Sequence, residues 1–531
     1  MFKKNQSSLL KSSCQFLIIL LAFAVGWLGG QYLFSVQQQD KIAILPLDSR
    51  PCNTQYPQVL GKVAGMEIAL PEAKFLDDFR SPSKEEELWT WLEHEAKSKD
   101  CLIIYTNQLF QGGLIASRDY ENYEDTDNQL IRLENFCQKH QDKEIIVATI
   151  LPRLKPTQYN ADLWKYQAAL TEWAVNAAQS LSETGVLGEM PADIPEDVVQ
   201  QYLGLYDEAE KLVEALAILA EKGLIDHLII GQDDAEEWSF SNLIYQKMEQ
   251  RQNSNITTVH GADELTMLIL ANRLEQEPLP VRIVYTNPYK LDNFYPYEAA
   301  DLQTIVNVKL AFAGLVENPH AKDVIIIHND PEKSQLAAEL LAKEKGHYVG
   351  IADIAYTNRG DYRLKDILFS SEYFEHVSCY SGWNTASNTL GTVFAHYRLS
   401  QYGGQQYTQA SSKEKEDILK ALLTFKAIRW NEDQIYQAHI APQLNPLLLE
   451  QKLIDGYGVF LKNSKNKGTI QLEQHYASYQ QEFAQLMNGK HQIYFANQII
   501  PVTITNFNSM IAYPWNRTFE VKAECEFDLQ A

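Results

Sequence analysis

An apolar run that ends in paired carboxylates stands near the middle of this chain: His227-Leu228-Ile229-Ile230-Gly231-Gln232-Asp233-Asp234-Ala235-Glu236-Glu237-Trp238. A short run of this kind, bounded by glycine, is typical of a buried strand in a parallel sheet. Open α/β sheets and α/β barrels bind their ligands at the carboxyl ends of such strands. Because adjacent carboxylates repel, we expect a raised pKa for one of Asp233 and Asp234, which suits general acid/base chemistry. The alternative is that both aspartates cap a helix with Glu236 and Glu237 in its first turn.

Outward from this run, strand-like segments alternate with helical patterns, which is the signature of βαβ units. The strong predicted strands are 42–47, 101–106, 144–151, 227–231, 256–260, 281–286, 324–328, 348–354 and 376–380, with a weaker one at 67–70. These are too many strands for a plain eight-stranded barrel. The sequence therefore predicts an α/β fold of mostly parallel βαβ units, either an elaborated TIM-barrel-like domain or doubly wound sheets side by side.

The pattern changes after residue 400. Helical periodicity at 413–430, 445–460 and 472–487 is followed by a tail, 492–529, that alternates like antiparallel strands. We therefore predict three regions: a cytoplasmic tip and membrane anchor at 1–40, a main α/β domain at 41–400, and a helical, then β-rich region at 401–531.

The amino terminus predicts the location of the chain. Lys3, Lys4 and Lys11 precede an apolar segment at 16–34 that is close to the length needed to cross a bilayer, with positive charge on the cytoplasmic side. Residues 35–39 contain no small-x-small cleavage site, which favours an uncleaved anchor over a signal peptide. The sequence thus predicts a single-pass protein of the cell membrane whose bulk is extracytoplasmic.

Composition excludes several classes of function. The net charge of -23 argues against a nucleic-acid partner, because phosphate binding requires a basic surface. The six cysteines form no Cys-x-x-Cys pair, so zinc-ribbon and thioredoxin folds are not indicated. The chain also lacks a Gly-x-Ser-x-Gly elbow, a dinucleotide fingerprint and a His-Glu-x-x-His motif. No cofactor is predicted, and the oligomeric state is not indicated.

Polar residues follow almost every predicted strand. The candidate binding residues at these strand ends are Asp48, Arg50, Asn107, Gly112, Gly113, Arg118, Asn287, Asp330, Asp353, Trp383 and Asn384. Carboxylates, amides, arginine and an aromatic on one rim suit carbohydrate chemistry, and paired glycines allow a ligand to approach the backbone. Trp383 is expected to stack on a sugar ring beside Asn384; the alternative is a buried Trp383, with Asn384 capping a helix at 385–399.

Four segments carry a family resemblance: Pro46-Leu47-Asp48-Ser49-Arg50-Pro51-Cys52-Asn53, Gly112-Gly113-Leu114-Ile115-Ala116-Ser117-Arg118, Gln232-Asp233-Asp234-Ala235 and Gly382-Trp383-Asn384-Thr385. With the closing Pro514-Trp515-Asn516-Arg517-Thr518-Phe519-Glu520, they resemble the bacterial family called domain of unknown function 4127 (DUF4127), over about residues 40–528. That family usually has Asp-Asp-Arg-Pro where this chain has Asp48-Ser49-Arg50-Pro51. The paired aspartates and the Gly-Trp-Asn segment are also loosely similar to hexosaminidases of the O-GlcNAcase and hyaluronidase kind.

The preferred hypothesis is a membrane-anchored glycoside hydrolase that acts on an acetamido sugar or a cell-surface glycan, without a metal. One of Asp233 and Asp234 would protonate the leaving oxygen, and the other would orient the acetamido group of the substrate as an internal nucleophile. One alternative is a metal-dependent hydrolase of phosphate esters or amides, with ligands drawn from His260, Asp263, His328, Asp330 and Asp353. Another is a non-catalytic glycan-binding protein.

The carboxyl-terminal segment Tyr513-Pro514-Trp515-Asn516-Arg517 allows two interpretations. In one, the segment serves packing, with Trp515 filling a gap in the core and Arg517 bonded to a nearby acid. In the other, the tail folds back and forms a wall of the ligand cleft.

Overall fold

Two parallel sheets and one antiparallel sheet organise the fold. The computed structural model of the protein describes residues 40–530, apart from residues 159, 252, 275, 276, 345 and 497. The unit Lys41–Ala531 is compact. The two parallel sheets are open at both edges in the described residues, so the structure corresponds to the predicted side-by-side sheets and not to a closed barrel.

The first sheet has the strand order β2-β1-β3-β4-β5-β6 and is parallel throughout. Its strands are β1 (Lys41–Leu45), β2 (Glu67–Ala69), β3 (Cys101–Tyr105), β4 (Glu144–Leu151), β5 (His227–Gln232) and β6 (Ile256–His260). Its connecting helices are α1 (Gln55–Val63), α2 (Glu85–Glu95), α3 (Thr106–Leu109), α4 (Thr126–Lys139), α5 (Ala161–Lys165), α6 (Gln167–Thr184), α7 (Glu196–Glu221) and α8 (Phe240–Glu249), with 3-10 turns at Ala116–Arg118 and Tyr120–Tyr123.

Both faces of this sheet are covered, which explains why its strands are continuous apolar runs. In β1, Ile42 and Ile44 belong to one hydrophobic core, whereas Ala43 and Leu45 belong to another on the opposite face. Successive strand residues point to opposite faces, so a strand between two helical layers needs apolar residues at every position.

The second sheet has the strand order β11-β10-β9-β7-β8 and is also parallel. Its strands are β7 (Leu279–Tyr285), β8 (Leu315–Glu317), β9 (Val324–His328), β10 (Val349–Asp353) and β11 (Cys379–Ser381). The helices around it are α9 (Leu265–Asn272), α10 (Leu302–Phe312), α11 (Ser334–Lys343), α12 (Tyr362–Leu368), α13 (Ser371–Phe374) and α14 (Ala386–Tyr407), with 3-10 turns at Pro288–Lys290 and Pro331–Lys333.

Helix α14 joins the two halves. It contacts helices α1 and α9 and also strands β10 and β11. Its first sixteen residues, 386–401, are all buried, so it lies in the interior between the layers. The boundary predicted near residue 400 falls inside this helix.

The carboxyl-terminal region is helical and then β-rich, as predicted. Its helices are α15 (Ser412–Arg429), a π-helix (Trp430–Ile440), α16 (Ala441–Glu450) and α17 (Lys465–Met487). The antiparallel sheet that follows contains β12 (Gly489–Phe495), β13 (Gln498–Ala512) and β14 (Lys522–Gln530).

The predicted membrane anchor at 16–34 lies outside the described residues. In the part of the chain that the structure describes, no helix is both long and apolar enough to cross a bilayer. Membrane anchoring and an extracytoplasmic location therefore stay predictions from the sequence.

Candidate functional site

Arg50 forms a buried salt bridge with two aspartates at the carboxyl edge of the first sheet. It follows β1 and donates from Nε and Nη2 to Oδ2 of Asp48, at 2.9 and 2.6 Å. Its Nη1 and Nη2 donate to Asp263, which follows β6, at 3.0 and 2.5 Å. All three side chains are buried. A guanidinium is suited to this arrangement, because its planar fork can satisfy two carboxylates at once.

Two asparagines complete what we call the Arg50 cluster (Asp48, Arg50, Asn53, Asp263 and Asn384). Asn53 donates to Oδ1 of Asp48 at 2.9 Å, and Asn384 donates to Oδ2 of Asp263 at 2.8 Å. Asn384 has a φ of 54°, a left-handed conformation that asparagine tolerates better than most residues. Burial raises the pKa of Asp263 to about 6, although Arg50 opposes the rise.

The paired aspartates after β5 each bind a different arginine, and these four residues form the twin-Asp site. Arg118 donates to Oδ2 of Asp233 from Nε at 2.9 Å and also from Nη2. Nη2 of Arg153 lies 2.7 Å from Oδ2 of Asp234. The side chains of Asp234 and Arg153 each keep 20% of their surface exposed, against 9% for Asp233. Asp234 is therefore the more accessible carboxyl.

The two carboxyls of the twin-Asp site have opposite pKa shifts. Burial alone would raise the pKa of Asp233, but Arg118 and Arg153 outweigh burial and lower it. For Asp234 burial prevails over Arg153, and the charge of Asp233 adds to it, so the pKa is raised. The prediction that one of the two has a raised pKa agrees with these shifts. Asp233 also contributes to the raised pKa of Asp263, so the twin-Asp site interacts electrostatically with the Arg50 cluster.

Neither aspartate caps a helix, so that alternative is wrong. Helix α8 begins at Phe240, and its cap is Ser239, whose Oγ accepts from the backbone N–H of Asn242 at 3.3 Å. Asp233 and Asp234 therefore lie in a loop, where they bind Arg118 and Arg153 and do not cap a helix.

The carboxyl-terminal tail reaches the Arg50 cluster. Trp515 is buried, its indole N–H donates to Oγ of Ser49 at 2.8 Å, and the Arg50 guanidinium lies 5.2 Å from the centre of its ring. Arg517 donates to both carboxylate oxygens of Glu520 at 2.9 and 2.6 Å, and Glu520 lies 3.9 Å from Arg50. The tail thus packs as one interpretation predicted, with Trp515 buried and Arg517 bonded to an acid, and it does so against the cluster.

The predicted ligand roles of Asn107, Gly112 and Gly113 need correction. The Asn107 amide accepts from the backbone N–H of Ile150 at 2.8 Å and donates to its carbonyl at 3.1 Å, so it braces the protein instead of facing a ligand. Gly112 and Gly113 have φ values of 89° and 121°. A Cβ at Gly113 would lie 2.9 Å from the Asp77 carboxyl carbon, so the close approach is to the protein.

Trp383 does not offer a stacking face. It is buried, packs edge-on against Tyr56 with ring centres 6.2 Å apart, and lies 5.2 Å from the Arg429 guanidinium. The alternative of a buried Trp383 is therefore confirmed. The other part of that alternative, in which Asn384 caps the following helix, is wrong. Asn384 binds Asp263, and Thr385 occupies the cap position of α14.

The remaining predicted binding residues lie at the carboxyl edge of the second sheet. Asn287 donates to Asp330 at 2.7 Å, and Lys290 lies 3.1 Å from the same carboxylate. Asp353 is buried and accepts from the hydroxyl of Tyr380 at 2.7 Å. Asn287, Asp330 and Asp353 thus bind partners within their own sheet, whereas Asn384, which follows β11 of the same sheet, binds Asp263 of the first sheet.

The candidate metal ligands are dispersed. His260 is hydrogen-bonded to Gln232 at 2.8 Å, and burial lowers its pKa to about 3. His328 is bonded to Asp361 at 3.0 Å, and Asp263 belongs to the Arg50 cluster. Within the described residues, no group of three or more His, Cys, Asp or Glu side chains is arranged to hold a metal ion. The metal-dependent alternative therefore gains no support from this geometry.

Several residues of the site were not among the candidate binding residues. Arg153 is the second residue after the end of β4, so the rule that selected the other strand-end residues applies to it too. Asp77 is buried, and its Oδ1 accepts from the backbone N–H of Ser49 at 2.8 Å. Glu298 accepts from the N–H and Oγ of Ser387 at 2.7 and 2.6 Å. Asp77 lies in the loop between β2 and α2, and Glu298 lies in the loop between β7 and α10. No motif or periodicity in these loops marks either residue as part of a site.

Comparison with known proteins identifies the family. No curated protein and no solved structure matches the chain significantly, and nothing in the comparisons supports the looser similarity to hexosaminidases. A family model described as "Protein of unknown function (DUF4127)" matches residues 42–524. Because the match covers nearly the whole chain, the protein belongs to the DUF4127 family.

Proposed function

We propose that the protein is a membrane-anchored, extracytoplasmic glycoside hydrolase that acts on an acetamido sugar or a cell-surface glycan. The observation that supports this most directly is the unequal environment of Asp233 and Asp234, whose pKa values are shifted in opposite directions. Substrate-assisted hydrolysis needs one carboxyl that carries a proton and one that stays ionised. The opposite pKa shifts of these two neighbouring carboxyls are in the directions that this requirement favours.

In this proposal Asp234 is the general acid. Its raised pKa favours the protonated form, and its partly exposed side chain is accessible to a substrate. As the acetamido oxygen of the sugar attacks the anomeric carbon, the glycosidic bond breaks and the leaving oxygen takes the proton of Asp234. Water then attacks the cyclic intermediate and returns a proton to Asp234, so the enzyme ends as it began.

Asp233 acts as the ionised partner. Arg118 and Arg153 keep its pKa low, so it carries negative charge when the acetamido group becomes positively charged in the cyclic intermediate. Arg118 also holds it with two hydrogen bonds from one guanidinium, which restricts its orientation. The buried Arg50 cluster beside it provides a rigid base for these groups.

The test uses the full-length protein and two kinds of acetamido-glycoside, one with an activated aryl leaving group and one with an alkyl leaving group. Asp234→Asn should slow the alkyl glycoside by about 100-fold or more and the aryl glycoside much less, because only the poor leaving group needs a proton. Asp233→Asn should slow both substrates.

Asp142→Asn is the matched control, because Asp142 is a surface aspartate with 70% of its side chain exposed. It should leave both rates unchanged. Wild-type rates on both substrates in the Asp233→Asn and Asp234→Asn variants would rule out the proposed mechanism.

A second candidate function is non-catalytic glycan binding. It is favoured by the pairing of both aspartates with arginines, since a fully paired site can recognise polar groups without chemistry. Glycan-array binding by the wild-type protein that survives both Asn substitutions, with no turnover of any bound sugar, would support this candidate over the hydrolase.

A further inference from the structure

Tyr297 adopts a backbone conformation that aromatic residues rarely adopt. It lies between β7 and α10 with a φ of 69°, in the left-handed region. For a bulky side chain this region is unfavourable, because Cβ crowds the neighbouring carbonyl oxygen. Tyr297 is also 41% exposed as a residue, so packing offsets only part of the cost.

The surroundings of Tyr297 hold this conformation in place. Its carbonyl oxygen accepts from the backbone N–H of Ala235, the residue directly after the paired aspartates, at 3.2 Å. The next residue, Glu298, is buried and is anchored by Ser387 through two hydrogen bonds of 2.7 and 2.6 Å. A strained residue persists where the surrounding structure fixes its backbone, and such residues concentrate at ligand sites.

Tyr297 also borders the twin-Asp site. Burial alone would lower the pKa of Arg153, but Asp234, Asp233 and Tyr297 outweigh it and raise the pKa. The phenol of Tyr297 is therefore close enough to Arg153 to act on its charge. Together with the hydrogen bond to Ala235, this places an exposed aromatic ring beside the more accessible of the two aspartates.

A second aromatic residue with positive φ borders the neighbouring cluster. Phe79 has a φ of 54°, and its ring centre lies 5.6 Å from that of Trp515, which itself packs against Arg50. Among the described non-glycine residues with positive φ, Phe79 and Tyr297 are the two aromatic ones. The others are asparagine, lysine and alanine. Phe79 follows β2 of the first sheet, whereas Tyr297 follows β7 of the second sheet and reaches the loop after β5 through its hydrogen bond with Ala235.

We propose that Tyr297 is a substrate-contacting residue of the twin-Asp site and that its exposed ring packs against the apolar face of a sugar ring. The inference rests on the proposed function and adds a specificity-determining residue to it. A sugar ring has an apolar face of C–H groups and a rim of hydroxyls. The exposed ring of Tyr297 can pack against the apolar face, and the two carboxylates and two arginines beside it can bind the hydroxyls.

Binding is tested first, by calorimetry of the full-length Asp234→Asn protein with N-acetylglucosamine and its linear trimer. Adding Tyr297→Ala should weaken binding about tenfold, the loss expected for an aromatic contact. Tyr297→Phe should bind as tightly as tyrosine. Tyr289→Ala is the matched control, because Tyr289 lies on the same connection, is 95% exposed, and should not affect binding. Unchanged binding in Tyr297→Ala would overturn the proposal.

Stability provides a readout that does not depend on a ligand. Glycine adopts positive φ without strain, so Tyr297→Gly should leave the melting temperature unchanged or raise it while binding is lost. A melting temperature lowered by several degrees would assign the ring a structural role and overturn the proposal.

The same measurements separate this proposal from the hydrolase. If the wild-type protein binds the trimer but hydrolyses no acetamido-glycoside, and Tyr297→Ala weakens that binding as expected, the hydrolase fails and the role of Tyr297 stands. If the wild-type protein hydrolyses the glycosides and Tyr297→Ala keeps the same kcat/KM and affinity, the hydrolase stands and the role of Tyr297 fails.

Discussion

Trp515 donates its indole N–H to the hydroxyl of Ser49 across 2.8 Å, and this bond joins residues 466 positions apart in the chain. Ser49 lies between Asp48 and Arg50, so the bond fixes the carboxyl-terminal tail to the turn at the centre of the Arg50 cluster. A serine hydroxyl can accept a hydrogen bond, so Ser49 supplies the acceptor that the Trp515 indole needs.

Removing the Trp515 side chain should destabilise the protein more than it affects a ligand. Trp515→Ala is expected to lower the free energy of unfolding by about 3 kcal/mol, because the residue is buried against Arg50 and Arg517. Trp515→Phe keeps an aromatic ring and should cost about 1 kcal/mol for the lost hydrogen bond, apart from any cavity. Urea unfolding measures both. Weaker sugar binding at an unchanged melting temperature would contradict this prediction.

Arg50 should not tolerate replacement by lysine. An ammonium cannot donate to Asp48 and Asp263 with the geometry of a guanidinium, so Arg50→Lys leaves buried carboxylate oxygens unpaired. We expect a loss of about 3 kcal/mol in unfolding free energy. Arg132→Lys, at an exposed pair with Glu86, serves as the control and should change stability by less than about 0.5 kcal/mol. Equal effects of the two substitutions would show that the Arg50 cluster contributes no more than a surface pair.

Arg153 should set the upper pH limit of hydrolysis. Its positive charge lowers the pKa of Asp234, although burial keeps the net shift upward. Arg153→Gln removes that charge, so the pKa of Asp234 should rise further and the acid should stay protonated to higher pH. The alkaline limb of the profile of kcat/KM against pH should therefore move upward. An alkaline limb that moves downward, or stays in place in a folded variant, would argue against Asp234 as the acid.

Glu298 should make the protein less stable as pH rises. Burial raises the pKa of its carboxyl to about 7, and the hydrogen bonds from Ser387 and the charge of Lys309 offset the rise only in part. The ordinary value is 4.5, so the folded state holds a proton that the unfolded state releases between these values. This stabilisation is fully present below pH 4.5 and is lost as the pH rises through 7.

Glu298→Gln mimics the protonated carboxyl and removes this titration. The difference in unfolding free energy between wild type and variant should therefore change across this pH range, by on the order of 3 kcal/mol at most. Unfolding of both proteins in urea from pH 4 to 8 measures it. A constant difference would mean that Glu298 does not titrate in this range.

The parallel sheets were predictable because most of their strands are buried on both faces. The strands predicted at 144–151, 256–260 and 324–328 match β4, β6 and β9 residue for residue. Strand β8 was missed, since it has three residues and only Leu315 is buried. The choice between a barrel and two sheets was not accessible from local pattern, because it depends on whether the strands at the edges pair with each other.

The sequence allowed us to predict which residues belong to the site, but not which residues they bind to each other. Asp48, Arg50, Asp233 and Asp234 stand at strand ends, and the structure brings them to one edge. The partners of Arg50 and Arg118 are 213 and 115 residues away, at Asp263 and Asp233, and no periodicity encodes such distances. The inward orientation of Trp383 was equally hidden, because a Gly-Trp-Asn segment reads the same whether its ring faces Tyr56 or solvent.

The bond between Ser49 and Trp515 also has a consequence for biosynthesis. Ser49 leaves the ribosome 466 residues before Trp515 does, which takes about half a minute or more at typical rates of translation. During that time the first sheet can fold, but the Arg50 cluster lacks the indole and the Arg517–Glu520 pair that cover it. A nascent chain therefore carries an unfinished site throughout its translation, and a prematurely terminated product never completes it.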